Sequence, residues 1–272
     1  MNFSEISPES IRRLQQIKLI IFDLDGTLLF TLNSLRKATQ LALMQSKNLI
    51  MPAFSKFYDP VNFTDVVTKT IESPQFMNCV GYGARNQIRL SLYLILGEEP
   101  APTMVDQIWN LYLLLFKSYY NYHIDIYSGL SPMLRFLQNR GIQLAVASNK
   151  PDSQAKDLIR QYFSTIPFLF VAGASPDRPL KPEPGALKGP LRDHGLDFGP
   201  EIAIMGDGEP DIRMAKNCQA LPLAALWGYR TKEQLLEAGA DPNFLFPVPD
   251  DVVQLFTYAS TASTAQDTEG DH

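Results

Sequence analysis

The sequence predicts an α/β protein: a parallel sheet with helices on both faces, interrupted after its first strand by an inserted α-helical domain. Three observations predict it. Apolar runs with strand character recur at 18–22, 142–148, 167–173, 201–206 and 221–226. They are continuous rather than alternating, as in strands covered on both faces. Helical patterns over 130–140, 153–162, 184–195 and 210–218 separate the later runs, and such alternation builds parallel sheets through right-handed crossovers. Between Phe30 and Tyr127, by contrast, little strand pattern is present and the chain reads as helices, including 32–47, 84–96 and 103–121.

The elements follow in order. Ser7, Pro8 and Glu9 read as the N-cap and first turn of a short helix. Residues 1–17 thus form an N-terminal extension, and their polar sequence lacks the apolar segment of a secretory signal. The first strand, KLIIF, is followed at once by the insertion, residues 30–127. The remaining runs complete a Rossmann-like core made of 1–29 and 128–258. Residues 259–272 are small, polar and acidic, and are expected to be disordered.

Composition narrows the function classes. The chain is 45% apolar and 19% charged, an ordinary globular balance. Its net charge of −5 supplies no basic field for nucleic acid or an anionic membrane. No run reaches the ~20 apolar residues of a membrane span. The longest candidate, IWNLYLLLF at 108–116, reads as a buried helix. Cys79 and Cys218 have no metal-type spacing and form no disulfide framework, which suits a reducing cytoplasm.

Four short segments fall at the C-terminal ends of predicted strands, the edge at which open parallel sheets bind ligands. They are DLDGT (Asp23, Asp25, Thr27), VASNKP (Ser148, Asn149), LKPEP (Lys181) and MGDGEPD (Asp207, Asp211). Together these residue types suit phosphoryl transfer. A carboxylate such as Asp23 can attack phosphorus and form an aspartyl-phosphate. A second carboxyl two residues on, Asp25, can reach the leaving oxygen as general acid and base. Asp207 and Asp211 offer hard oxygens suited to Mg²⁺. Lys181 supplies a point charge, and Ser148 a hydroxyl donor, to phosphate oxygens.

These motifs, in this order, resemble the haloacid dehalogenase superfamily of Mg²⁺-dependent aspartyl phosphotransferases, over about residues 18–240. The resemblance implies that Asp23 is nucleophile and metal ligand, and that Asp25 is the acid/base and lends its backbone carbonyl to the metal. It further implies that Thr27 orders the loop and, with Ser148, Asn149 and Lys181, forms the phosphate-binding set. Asp207 and Asp211 complete the metal site. The helical insertion matches the cap that selects substrate in this superfamily. YSGLSPMLRFLQNRGIQLAVASNKPDSQAKDLI, PLKPEPGAL, WGYR and GAD resemble its phosphoglycolate phosphatase branch. In the insertion, VGYGARNQIRLSL resembles that branch's substrate loop, with Gly81, Tyr82, Gly83 and Arg85 as the residues facing substrate. The implied partner is a small phosphorylated metabolite, of 2-phosphoglycolate type. A sugar-phosphate mutase shares the four motifs, and a non-catalytic binding module could share the fold. One departure stands out: Phe30 occupies the hinge position where the branch usually has an acid.

Overall fold

The structure, a computed structural model, describes residues 6–266. It divides into two compact units, Met1–Leu28 with Ile126–His272, and Leu29–Asp125. From the N-terminus, α1 (Pro8–Gln15) leads to β1 (Leu19–Phe22) and a short β2 (Leu29–Phe30). The helices of the second unit follow: α2 (Leu32–Gln45), α3 (Lys47–Phe54), α4 (Phe63–Glu72), α5 (Ala84–Leu96) and α6 (Pro102–Tyr119). β3 (Asp125–Ile126) pairs with β2 in a two-stranded sheet. The chain then forms α7 (Leu130–Asn139), β4 (Gln143–Pro151), α8 (Asp152–Tyr162), β5 (Val171–Ala174), α9 (Gly185–Arg192), β6 (Ile202–Gly206), α10 (Glu209–Asn217), β7 (Leu221–Ala225), α11 (Lys232–Glu237), β8 (Leu245–Phe246) and α12 (Pro249–Gln266).

The large sheet has the order β5-β4-β1-β6-β7-β8, and each neighbouring pair in it is parallel. β1 is therefore internal, with Ile20 facing Leu144 of β4 on one side and Ala203 of β6 on the other. Burial on both faces explains its unbroken apolar run. Leu19 and Ile21 join Ala145, Ile202, Ile204, Leu187, Leu191 and Met214 in one cluster under α9 and α10. Ile20 and Phe22, which the pleat turns to the other face, are also fully buried.

The second unit is helical throughout its core. α2 packs on α4 and α6, and α5 on α6. Phe54 and Phe63 meet edge to face with centroids 5.2 Å apart. A buried polar link lies among these apolar contacts. Gln87 of α5 donates to the Thr39 hydroxyl of α2 at 2.8 Å, and Thr39 donates to the Leu35 carbonyl at 2.8 Å. Bonds of this kind set helix register, because a slip would strand buried polar atoms.

Several boundaries differ from expectation. The helix expected over 32–47 ends at Gln45, and α3 begins after a break at Ser46. The strand expected over 167–173 is regular only over Val171–Ala174, although the Leu169 amide already bonds the Leu144 carbonyl at 2.7 Å. α9 ends at Arg192 rather than 195, ahead of Gly195 at φ +70°. The largest correction concerns the C-terminus. Residues 259–266, expected to be disordered, continue α12. Ala259 is buried, and its carbonyl accepts from Gln15 Nε2 of α1 at 2.6 Å. Docking on α1 anchors the segment where it begins. Residues 267–272 lie outside the described residues.

Glycines test how tightly β4 and β5 are fitted to α8. A methyl group on Gly173 would overlap the backbone of Asp152 and the Lys150 carbonyl, whereas one on Gly189 of α9 would meet nothing within 4 Å. Gly173→Ala is expected to destabilise by about 1–3 kcal/mol through overpacking. Gly189→Ala is expected to stabilise by roughly 0.5–1 kcal/mol through helix propensity. Urea unfolding of the two variants, read side by side, checks the opposite signs.

Candidate active site

The three central strands bring the motif residues to one edge. Asp23 follows β1, and its amide continues the ladder to the Met205 carbonyl at 2.8 Å. Ser148 lies in the last turns of β4, Asp207 follows β6, and Asp211 sits in the first turn of α10. Lys181 arrives from the loop between β5 and α9. All are buried.

Lys181 is the hub. Its ammonium donates to Asp23 Oδ1 at 2.6 Å, to Asp211 Oδ1 at 2.6 Å and to the Ala147 carbonyl at 2.8 Å. All three ammonium donors are thereby used, which fixes the group in space. The other Asp211 oxygen accepts from the Gly208 amide at 3.1 Å. Both oxygens of Asp207 are held as well, Oδ1 by the Thr27 hydroxyl at 3.0 Å and Oδ2 by the Tyr229 amide at 2.7 Å. The packing around these carboxylates leaves no room for a β-carbon. A methyl on Gly26 or Gly228 would overlap the Asp207 carboxylate, and one on Gly206 that of Asp211. Gly26 also has φ +88°, a conformation that L side chains rarely adopt.

Asp23, Asp207 and Asp211 each present a carboxylate oxygen, and these atoms lie within 4.8 Å of one another. Such a hard-oxygen set fits a divalent cation. The electrostatics agree with a site built for added positive charge. Burial raises the Asp23 carboxyl well above its usual value against the pull of Lys181, and Asp211, Asp207 and Asp25 add to the rise. Burial and then Asp211 push Asp207 up to about 6, although the Tyr229 amide, Arg230 and Thr27 oppose the shift. For Lys181 burial acts against the charge, but Asp211 and Asp23 outweigh it and raise the ammonium.

The remaining sequence candidates are placed as follows. Asp25 is mostly buried and forms an ion pair with Lys150, Oδ1 to Nζ 3.1 Å. Thr27, expected in the phosphate-binding set, is fully buried and has its hydroxyl committed to Asp207. The Asn149 side chain makes a reciprocal pair with the Lys181 backbone, Oδ1 accepting at 2.8 Å and Nδ2 donating to the carbonyl at 3.2 Å. The Ser148 hydroxyl oxygen accepts from the Lys150 amide at 3.1 Å, leaving its proton to be donated elsewhere. Gly81, Tyr82, Gly83 and Arg85 belong to the second unit. Gly81 and Gly83 have φ +100° and +85°, so the loop entering α5 requires glycine at both. Arg85 is exposed and its Nε donates to Asp106 of α6 at 2.7 Å. Phe30 lies half-buried in β2.

Sequence reasoning missed a second ring of residues. Lys150 is buried beside Asp25. Trp227 Nε1 donates to the Thr27 carbonyl at 2.9 Å and holds the turn after Asp25. Tyr127 lies close enough to Asp207 and Asp25 that, after burial, their charges raise its phenol. Lys150 and Trp227 lie in the segments VASNKP and WGYR, where the sequence motifs gave neither residue a role.

The buried carboxylates and the bridging ammonium form one charged cluster at the edge of a parallel α/β sheet. The profile of the haloacid dehalogenase-like hydrolases matches residues 17–219, and the chain belongs to that family. It is 29% identical over 241 residues to a Vibrio cholerae phosphoglycolate phosphatase, covering 88% of this chain and 95% of that one. Among solved structures, a Lactobacillus delbrueckii protein assigned as a phosphoglycolate phosphatase superposes with TM-score 0.70 at 21% identity, over 86% of this chain and 96% of that one. A Bacteroides vulgatus protein assigned as a β-phosphoglucomutase superposes with TM-score 0.61 at 16% identity, over 89% and 90%. At such identities these two likenesses concern the fold.

The raised Asp207 carboxyl has a measurable consequence. A folded-state value near 6 against an ordinary 3.8 means that the folded protein holds this proton more tightly than the unfolded chain. Stability contributed by the protonated form is therefore lost as pH rises through about 4 to 6. Asp207→Asn, a neutral isostere, escapes that loss. In EDTA, its unfolding free energy relative to wild type is expected to improve steadily across this window. Denaturant titrations at several pH values check the slope, and a flat difference would refute it.

Proposed function

We propose that this protein is a Mg²⁺-dependent phosphatase of a small phosphate monoester, of 2-phosphoglycolate type, acting in a reducing cytoplasm through an aspartyl-phosphate at Asp23. The observation that carries the reading is the Lys181 bridge. It holds one carboxylate as a nucleophile beside two others suited to a cation, at the ligand-binding edge of the sheet. Support also comes from family membership and from curated relatives bearing the phosphoglycolate phosphatase name over nearly their whole length. The likeness to a mutase is one of fold and favours no transfer to a second substrate hydroxyl. Both cysteines are free and buried, and among the described residues no helix is long and apolar enough to cross a membrane.

The residues divide the reaction between them. Asp23 attacks phosphorus in line with the leaving oxygen, forming the Asp23 O–P bond as the ester P–O bond breaks. Asp25 gives its proton to the departing alkoxide. Lys181, the Ser148 hydroxyl and the Asn149 amide neutralise and orient the phosphate oxygens. Asp25, now ionised, takes a proton from water as that water attacks phosphorus, which releases phosphate and restores the Asp23 carboxylate. Asp23, Asp207, Asp211 and the Asp25 carbonyl would hold Mg²⁺, which when bound offsets repulsion between carboxylate and phosphate. Asn149 contributes again by pinning the Lys181 backbone. In the second unit, the Gly81–Arg85 loop reads the substrate's far end. The ion pair with Asp106 holds the Arg85 fork at the start of α5, where a helix N-terminus already favours an anion.

Two outcomes are expected. Wild-type protein should release phosphate from p-nitrophenyl phosphate in Mg²⁺ and lose that activity in EDTA, and Asp23→Asn should be inactive while still folded by circular dichroism. Turnover surviving in Asp23→Asn would remove it as nucleophile. Arg85→Ala should lower kcat/KM for carboxylated esters by about tenfold or more, the scale of a lost charge-assisted bond, with little effect on p-nitrophenyl phosphate. Steady-state kinetics on a panel containing 2-phosphoglycolate measures both, and equal losses on both substrates would reassign Arg85 to packing within the second unit.

A further inference from the structure

A second buried lysine in this site has no part in the scheme above. Lys150 follows Asn149 near the end of β4, and its side chain is 1% exposed. Burying an ammonium is costly unless it is paired, so its place needs an explanation. The Asp25 carboxylate faces it as an ion pair, Nζ to Oδ1 3.1 Å, close enough for charge attraction though not aligned as a hydrogen bond, with Asp25 itself 12% exposed. Lys181 cannot serve Asp25, because its donors go to Asp23, Asp211 and the Ala147 carbonyl. The two lysines thus divide the carboxylates of the DLDGT turn.

The strand is shaped to deliver Lys150 there. β4 changes register against β5 between Ala147 and Pro151, and irregularities of this kind re-aim side chains beside active sites. The Lys150 amide donates to the Ser148 hydroxyl oxygen at 3.1 Å, and its carbonyl lies where a methyl on Gly173 would clash. The backbone is held by a hydrogen bond and the side chain by charge attraction.

We propose that Lys150 is a positioning residue for Asp25. By holding Oδ1, it fixes the rotation of the carboxyl about its own axis and leaves Oδ2 as the atom that exchanges the proton with the leaving oxygen and then with water. Lys150 itself forms and breaks no covalent bond. This inference rests on the phosphatase reading, and it makes the contribution of Lys150 depend on the leaving group. A poor alkoxide leaving group needs the proton, whereas p-nitrophenolate does not.

The experiment compares wild type, Lys150→Met, Asp25→Asn and the double variant on two substrates with Mg²⁺ present. The substrates are p-nitrophenyl phosphate and 2-phosphoglycolate or the best alkyl ester of the panel. Lys150→Met is expected to lower kcat for the alkyl ester by up to about 10²-fold, the scale of a misplaced catalytic group. KM should change little, and the loss on p-nitrophenyl phosphate should be at least tenfold smaller. In the Asp25→Asn background the same change should cost almost nothing further. Lys150→Arg, which keeps the charge, should recover part of the alkyl-ester rate. Equal losses on both substrates, or a full additional loss in the Asp25→Asn background, would overturn the role. If Lys150→Met fails to fold, Lys150→Gln supplies the same comparison, and misfolding of both would overturn positioning in favour of a purely structural lysine. A wild type inactive on every ester would instead overturn the phosphatase reading itself.

Discussion

Three buried carboxylates with oxygens within 4.8 Å of one another, and one ammonium between two of them, form the constraint on which the rest of this molecule depends. Ionised groups leave water at high cost, and like charges at short range add to it. The protein meets that cost with fixed donors: Lys181 on Asp23 and Asp211, the Gly208 amide on Asp211, and Thr27 with the Tyr229 amide on Asp207. What remains unbalanced is visible in the raised Asp23 and Asp207 carboxyls. A site left short of positive charge in this way gains more from a divalent cation than one already neutral.

That constraint reaches outward into the sheet. Carboxylates can be held this closely only if their backbones are rigid and adjacent, and the strand order supplies both conditions. β1 lies between β4 and β6, so Asp23, Ser148 and Asp207 leave neighbouring strands at the same edge. Lys181 must cross from beyond β5 to reach Asp23, and the Asn149 side chain ties its backbone at donor and acceptor both. Gly26, Gly206 and Gly228 then become steric necessities, since a β-carbon at any of them would enter a carboxylate. The apolar runs, the loop lengths and the glycines answer to one electrostatic arrangement.

This explains what could be read from the sequence and what could not. Asp23, Asp25, Ser148, Lys181, Asp207 and Asp211 were legible because each follows a continuous apolar run, and the edge of a parallel sheet is where such runs converge. Lys150 was not, although it stood inside a quoted segment. A lysine near a strand end is usually solvated, and its pairing with Asp25 depends on a register shift against β5 that no local pattern reveals. Thr27 and Asn149 were found as residues but not as contacts, because a hydroxyl or amide beside a phosphate motif can serve the ligand or the frame. The helix over 259–266 was missed for another reason. Its Ala, Ser and Thr content looks unstructured until α1 is placed beside it and the Ala259 carbonyl finds Gln15. Local composition reports propensity, whereas docking supplies most of a helix's stability.

The Gly81–Arg85 loop obeys different physics from the core. Gly81 and Gly83 hold positive φ, so the entry into α5 is set by a backbone conformation that favours glycine. Arg85 is exposed and paired with an equally exposed Asp106, and a surface pair of this kind contributes little to stability. Its value lies in orientation: a guanidinium held through Nε keeps its other nitrogens in a defined plane, which a flexible lysine would not. Core and insertion thus use charge in opposite ways. In the core, buried charge is costly and is made rigid so that chemistry can be done with it. In the second unit, exposed charge is cheap to keep and easy to exchange, whereas burial ties the carboxylates, the two lysines and their glycines to one arrangement.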